Sequence, residues 1–196
     1  MFQKIRIRDD DVLLPSSRWA EPMKRFRGFH NLVLQDQEHF IHVAAVLCTE
    51  IQQFPEIIEL IRTETEAGRM EPQIHGLKHI DYGKLLRGEV VDHLESCMAY
   101  FSEWGFPMPT LWYTPWGASQ PHLHEAAQMC GLKLIDTSNV IHPGPARDYL
   151  KQHPDELEVW QGKEIIRHWW ESVGALNEFV TKYKALASSK ASSSDS

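Results

Sequence analysis

Short apolar runs alternate along this chain with longer segments of helical period, and that alternation predicts an α/β protein with a largely parallel sheet. KIRIR at 4–8 alternates apolar and basic residues, as a strand does. FIHVAAVLC at 40–48 is a continuous apolar run and reads as a buried strand. EPQIH, TLWY at 110–113, LKLID and EIIRH read as four more strands. Between them, 55–68 predicts a helix, with Pro55 in its first turn and Gly68 as its stop. In 89–104, Val90, Val91, Leu94, Cys97, Met98 and Phe101 fall on one helical face that ends before Gly105. PHLHEAAQMC is a helix bracketed by Pro121 and Gly131, and 170–186 is a last helix with Trp170, Val173, Leu176, Val180 and Tyr183 on one side. The basic stretch 18–27 reads as a solvated loop, 142–158 as turn-rich chain, and 188–196 as a disordered serine-rich tail behind a single domain spanning 1–187.

Composition narrows the class. A chain of 196 residues with net charge -7 disfavours a nucleic-acid backbone as partner. No segment reaches the roughly 18 apolar residues that a membrane span needs. The N-terminus lacks the apolar run of an export signal, and Cys48, Cys97 and Cys130 are odd in number and widely spaced, so reduced thiols and a cytoplasmic location are expected.

Chemistry enters at the strand ends, where parallel α/β folds gather their reactive groups. Asp9, Asp10 and Asp11 follow the first strand, His75 ends the third, Pro115–Gly117 follow TLWY, and His168 ends the last. Three consecutive carboxylates repel one another and call for a positive partner. In HGLKH, His75 and His79 stand four apart, a spacing that on a helical turn lets both imidazoles reach one ion. Two histidines and one carboxylate are the donor set of a catalytic zinc with an open position for water. Cobalt, nickel, manganese and iron accept the same set. Neither pattern is specific alone; their joint placement on strand ends favours a metal.

The ordered set RDDDV, HGLKH, YTPWG and EIIRHWWESVGAL resembles the polysaccharide deacetylase family, in a short and divergent form, over about residues 3–185. The resemblance implies a distorted, incomplete (β/α) barrel and metal-dependent removal of an N-acyl, chiefly N-acetyl, group from an amino sugar or glycan precursor. It also implies roles. Asp10 is the general base and Asp11 a metal ligand, with Asp9 and Asp10 as the alternative register. His75 and His79 are the other ligands. Trp116 offers its backbone N–H to the oxyanion, and His168 protonates the leaving amine. Arg8, Tyr113, Trp116 and Trp169 are expected around the substrate.

Two departures stand out. Tyr113 occupies the place of an arginine that pairs with the catalytic aspartate, and Arg8, two residues before Asp10 on the same side of its strand, is a candidate substitute. The aspartate that orients the late histidine has no clear match, with Asp136, Asp148 and Asp155 as candidates. Two rivals therefore stay open: an amidohydrolase acting on a small non-sugar amide, and a binding protein that keeps the metal without turnover.

Overall fold

The computed structural model describes residues 3–13, 21–135, 141–168 and 173–194. Six parallel strands form one sheet in the order β5-β4-β3-β2-β1-β6, comprising β1 (Ile5–Val12), β2 (Phe40–Leu47), β3 (Met70–Gly76), β4 (Leu111–Trp112), β5 (Lys133–Leu134) and β6 (Glu164–His168). The outermost strands β5 and β6 do not pair, which makes the sheet an incomplete barrel. Among the described residues, six α-helices lie between the strands, α1 (Pro22–Val33), α2 (Cys48–Ile51), α3 (Pro55–Glu66), α4 (Arg87–Glu103), α5 (Pro121–Met129) and α6 (Pro143–Gln152), and α7 (Gly174–Ser194) follows β6.

Alternation along the strands sorts two environments. Ile5 and Ile7 of β1 and Phe40 of β2 pack with Phe29, Leu150, Trp160, Phe179 and Val180 under α1, α6 and α7. Ala44, Val46 and Ile74 join Ile57, Ile61, Leu94, Phe101 and Leu123 under α3, α4 and α5. The opposite face of the sheet is polar at its centre. Arg6 and Arg8 point there from β1, beside Val43, Ala45 and Tyr113. In the β1–β6 pairing Arg6 lies opposite Glu164, and Asp10 opposite His168. Trp112 and Trp160 are buried in the core.

Three segments depart from the sequence reading. Part of the supposed loop at 18–27 belongs to α1, because Phe26, Phe29, His30 and Val33 recur at helical spacing and are all buried, while Lys24 and Arg27 face solvent. The turn-rich stretch contains α6, whose Pro143 and Pro145 sit in the first turn, where a missing N–H breaks no helical hydrogen bond. The expected tail continues α7 to Ser194: Ser188 donates to the Lys184 carbonyl, and Lys190 Nζ donates to the Asp155 carbonyl at 2.6 Å. Among the described residues, no helix is long and apolar enough to cross a membrane.

Candidate metal centre and active site

The end of β1 leaves the regular ladder between Asp9 and Val12, and Asp11 there adopts a left-handed conformation with φ 60°. Aspartate tolerates that region better than most residues. The turn sends three neighbouring carboxylates in three directions. Asp9 is fully buried, with Oδ2 3.7 Å from Nε2 of His42. Asp10 lies beside Arg8. Asp11 reaches the histidines: its Oδ1 is 2.7 Å from His75 Nε2 and 3.0 Å from His79 Nε2. Of the two registers open from the sequence, this geometry gathers Asp11, rather than Asp9 or Asp10, with both imidazoles.

His75 is the penultimate residue of β3, but His79 does not follow it on a helical turn as the spacing suggested; residues 77–80 form a series of bends. The excursion is pinned from several sides. Tyr82 Oη accepts the Leu77 N–H at 2.8 Å. Thr49 donates its hydroxyl to the Leu77 carbonyl at 2.7 Å and its N–H at 3.0 Å. Trp112 Nε1 donates to the His75 carbonyl at 3.2 Å. A Cβ at position 76 would lie 2.8 Å from Tyr82 Oη, so glycine is required between the first histidine and the bends.

The three donor atoms fall within 4.8 Å of one another, and Asp11 and His75 are buried. A tetrahedral zinc with bonds of about 2.0–2.2 Å spaces its ligands roughly 3.3–3.5 Å apart, so the set fits such an ion with little adjustment. Burial pushes the Asp11 carboxyl up, but hydrogen bonds and charge from His75 and His79 outweigh it and hold it well below the usual carboxylate range. A pre-ionised carboxylate facing two imidazoles is the donor chemistry a divalent cation takes.

Asp10 is gripped from the side. Arg8 NH2 donates to its Oδ2 at 3.0 Å, and Nε lies 2.8 Å from Oδ1 in a more bent geometry. The substitution of Arg8 for the arginine lacking at Tyr113 thus has a direct contact behind it. Both residues were expected against substrate; the structure places them at 1% exposure each, stacked together with Arg8 Cζ 4.1 Å from the Tyr113 ring centroid.

His168 closes the remaining side, about a third exposed, with Nε2 3.8 Å from Asp11 Oδ2. Trp116 also has a left-handed backbone (φ 53°) in the PWG turn. The residue is 69% exposed, and its ring meets His79 edge-on at 4.5 Å. Beyond it opens a cleft of about 550 Å³ lined by Asp81, Trp116, Gly117, Ala118, Ser119 and Gln120. Trp169 and Asp136 lie outside the described residues. Asp148 is on α6 and pairs with Arg147, its own neighbour. Sequence reasoning missed Glu164, which holds Arg8 and Tyr113 from β6. Period-two alternation places Glu164 on the same face as His168, but it does not name Arg8 or Tyr113 as its partners.

No protein-family model and no curated protein matches the sequence. Solved structures do match it. A family 4 carbohydrate esterase from Streptomyces lividans, solved with acetate, superposes with a TM-score of 0.63 at 14% identity, over 96% of this chain and 88% of the other. The peptidoglycan deacetylase PdaC from Bacillus subtilis gives 0.59 at 15%, over 98% and 95%. A pseudoenzyme of the same esterase family from Bacillus anthracis gives 0.66 at 12%, over 93% of this chain and 61% of its own. At these identities the likeness is one of fold: the chain has the incomplete barrel of the polysaccharide deacetylase type.

Proposed function

We propose that this protein is a metal-dependent hydrolase that removes an N-acyl group, chiefly N-acetyl, from an amino sugar or glycan precursor. The observation that carries the reading is the meeting of Asp11, His75 and His79 at one point, with His168 Nε2 3.8 Å from Asp11 Oδ2 and Asp10 opposite His168 in the β1–β6 pairing. Asp11, His75 and His79 would hold the ion, which when bound polarises an amide carbonyl and acidifies water. Zinc suits the set best, with cobalt, nickel, manganese and iron as alternatives. Asp10 accepts the proton of the attacking water while Arg8 fixes the direction of its carboxylate. His168 delivers a proton to the departing amine. Positioned groups of this kind each add about 10²–10⁴-fold. The backbone N–H of Trp116 serves the oxyanion. Its exposed ring, beside a cleft with room for a sugar unit, supplies a flat apolar face to the substrate. Trp169, next in sequence to His168, is assigned to the same surface.

A second reading is supported by Tyr113 standing where the resembled family has its arginine, and by the pseudoenzyme of this fold: a chain that keeps the ion but has lost turnover. One experiment separates the two. Metal content is measured by elemental analysis, and acetate release is followed on N-acetylated amino sugars, free, nucleotide-linked and lipid-linked, with and without chelator. About one ion per chain and chelator-sensitive release are expected. Metal without release from any of these substrates selects the binding protein, and absence of metal removes both readings.

A further inference from the structure

Below the metal centre, and distinct from it, lies a second organised group of side chains on the inner face of the sheet. Arg8, two residues before Asp10, is almost wholly buried, and burying a guanidinium is costly unless its donors are matched. One edge of the fork faces Asp10. From the remaining side, NH1 donates to Glu164 Oε1 at 2.8 Å. The other oxygen of Glu164 accepts the Tyr113 hydroxyl at 2.7 Å. Tyr113 in turn lays its ring against the face of Arg8, 4.1 Å from Cζ to the centroid. Arg6 reaches the same carboxylate with Nε at 3.4 Å, contacts the Tyr113 hydroxyl at 3.4 Å, and is anchored at its far end by Glu71. Burial, and then the nearby Glu164 carboxylate, push the Tyr113 phenol well up, so the hydroxyl remains a donor.

This arrangement restrains Arg8 against Asp10 from two further directions. The ring of Tyr113 sets the plane of the guanidinium, and Glu164 sets its rotation within that plane. A planar fork held in this way presents a fixed pair of donors to a carboxylate; a lysine ammonium has no plane to hold. Glu164 lies on β6 and Tyr113 directly after β4, so strands on both sides of β1 and β2 converge on one side chain.

From this geometry we infer that Glu164 and Tyr113 are positioning residues: they act through Arg8 to aim the carboxylate of Asp10 and do not themselves touch substrate. The inference rests on the proposed hydrolase for its kinetic consequence, but its geometric content does not.

The test therefore has two readouts. Glu164→Ala removes the clamp, whereas Glu164→Gln keeps a carbonyl acceptor of the same reach. Loss of a supporting partner of this kind costs about 10–100-fold. Glu164→Ala should lower kcat for acetate release within that range, with KM within about twofold and metal stoichiometry unchanged, and Glu164→Gln should recover most of the loss. Tyr113→Leu should behave like Glu164→Ala, and Arg8→Lys should fall at least as far as either. Crystal structures supply the second readout. Arg8 should leave the Asp10 carboxylate in Glu164→Ala and in Tyr113→Leu, and stay on it in Glu164→Gln. Should Glu164→Ala fail to fold, Tyr113→Leu carries both readouts alone. Arg8 still paired with Asp10 in the folded variants, or kcat unchanged in them, overturns the inference. A wild-type protein that binds metal but releases no acetate defeats the hydrolase reading, and the crystal structures then decide the positioning role alone.

Discussion

Two polar clusters made of the same residue types are approached by neighbouring residues of β1, and they have opposite character. On one side Asp11, His75 and His79 converge, and their donor atoms crowd around a single point. On the other, His42 Nε2 lies 3.7 Å from Asp9, His42 Nδ1 meets His30 Nδ1 at 3.0 Å, His30 Nε2 meets Glu64 at 2.9 Å, and Glu64 takes Arg69 Nε at 2.6 Å. That second set is a line and not a knot. His30 uses both ring nitrogens on its neighbours and His42 uses Nδ1, and the His42 ring lies against Phe26 and Phe29, with centroids 5.5 and 5.0 Å away. The Arg69 guanidinium, opposed by burial and joined by His30, holds the Glu64 carboxyl down at about 2. Whether histidines and acids form a candidate ion site depends here on whether their lone pairs point together or consume one another in pairs.

The largest way to break this contrast is at the point of convergence. Asp11→Asn or His79→Ala should reduce bound metal from about one per chain to near zero and acetate release by more than about 10³-fold, the scale of losing the ion's contribution. His30→Asn, which changes a ring of the same kind on the other side of the strand, should leave metal content intact. Elemental analysis of the purified variants, paired with the release assay, checks both. A smaller effect, on stability and not on metal, is expected from Glu64→Ala. It strands the buried His30, while Arg69 at the outer end of the line stays in water, and should cost about 1–2 kcal/mol, read from urea denaturation of the chelated protein.

Much of this contrast was written in the chain, but unevenly. The ranges 40–48 and 121–130 predict β2 (Phe40–Leu47) and α5 (Pro121–Met129) nearly to the residue, because an apolar run and a Pro–Gly bracket report directly on burial and helix ends. α1 escaped notice because Lys24, Arg25 and Arg27 dominate a segment whose buried residues are only Phe26, Phe29, His30, Leu32 and Val33. The candidate ion site was legible as residue types at or just after strand ends. Its register was not, since three identical acids carry no local difference and the left-handed turn at Asp11 separates them. The four-residue spacing of His75 and His79 suggested the right meeting for the wrong reason: bends held by Tyr82 and Thr49 bring them together, not a helical turn. Glu164 is a long-range partner of Arg8, 156 positions away, and nothing local to it announces the pairing.

The gentlest way to sharpen the contrast is to titrate the sealed line. Burial lowers the affinity of His30 for a proton, even against the pull of Glu64, and lowers that of His42 further, with His30 adding to the effect. Both rings take up protons more readily in the unfolded chain, whose histidines titrate near 6.5, so stability must fall as pH drops below that value. The slope is at most about 1.4 kcal/mol per pH unit for each ring. Glu64, depressed to about 2, acts lower down: its contribution is complete above its unfolded value of 4.5 and is lost as pH falls from there towards 2. The midpoint of thermal unfolding, followed without metal from pH 7.5 to 5, should therefore decline, and His42→Phe should flatten the decline by removing one buried ring that resists protonation. An equal slope in wild type and variant would mean that the acid sensitivity lies elsewhere, and that His42 takes up its proton as readily in the folded chain as in the unfolded one.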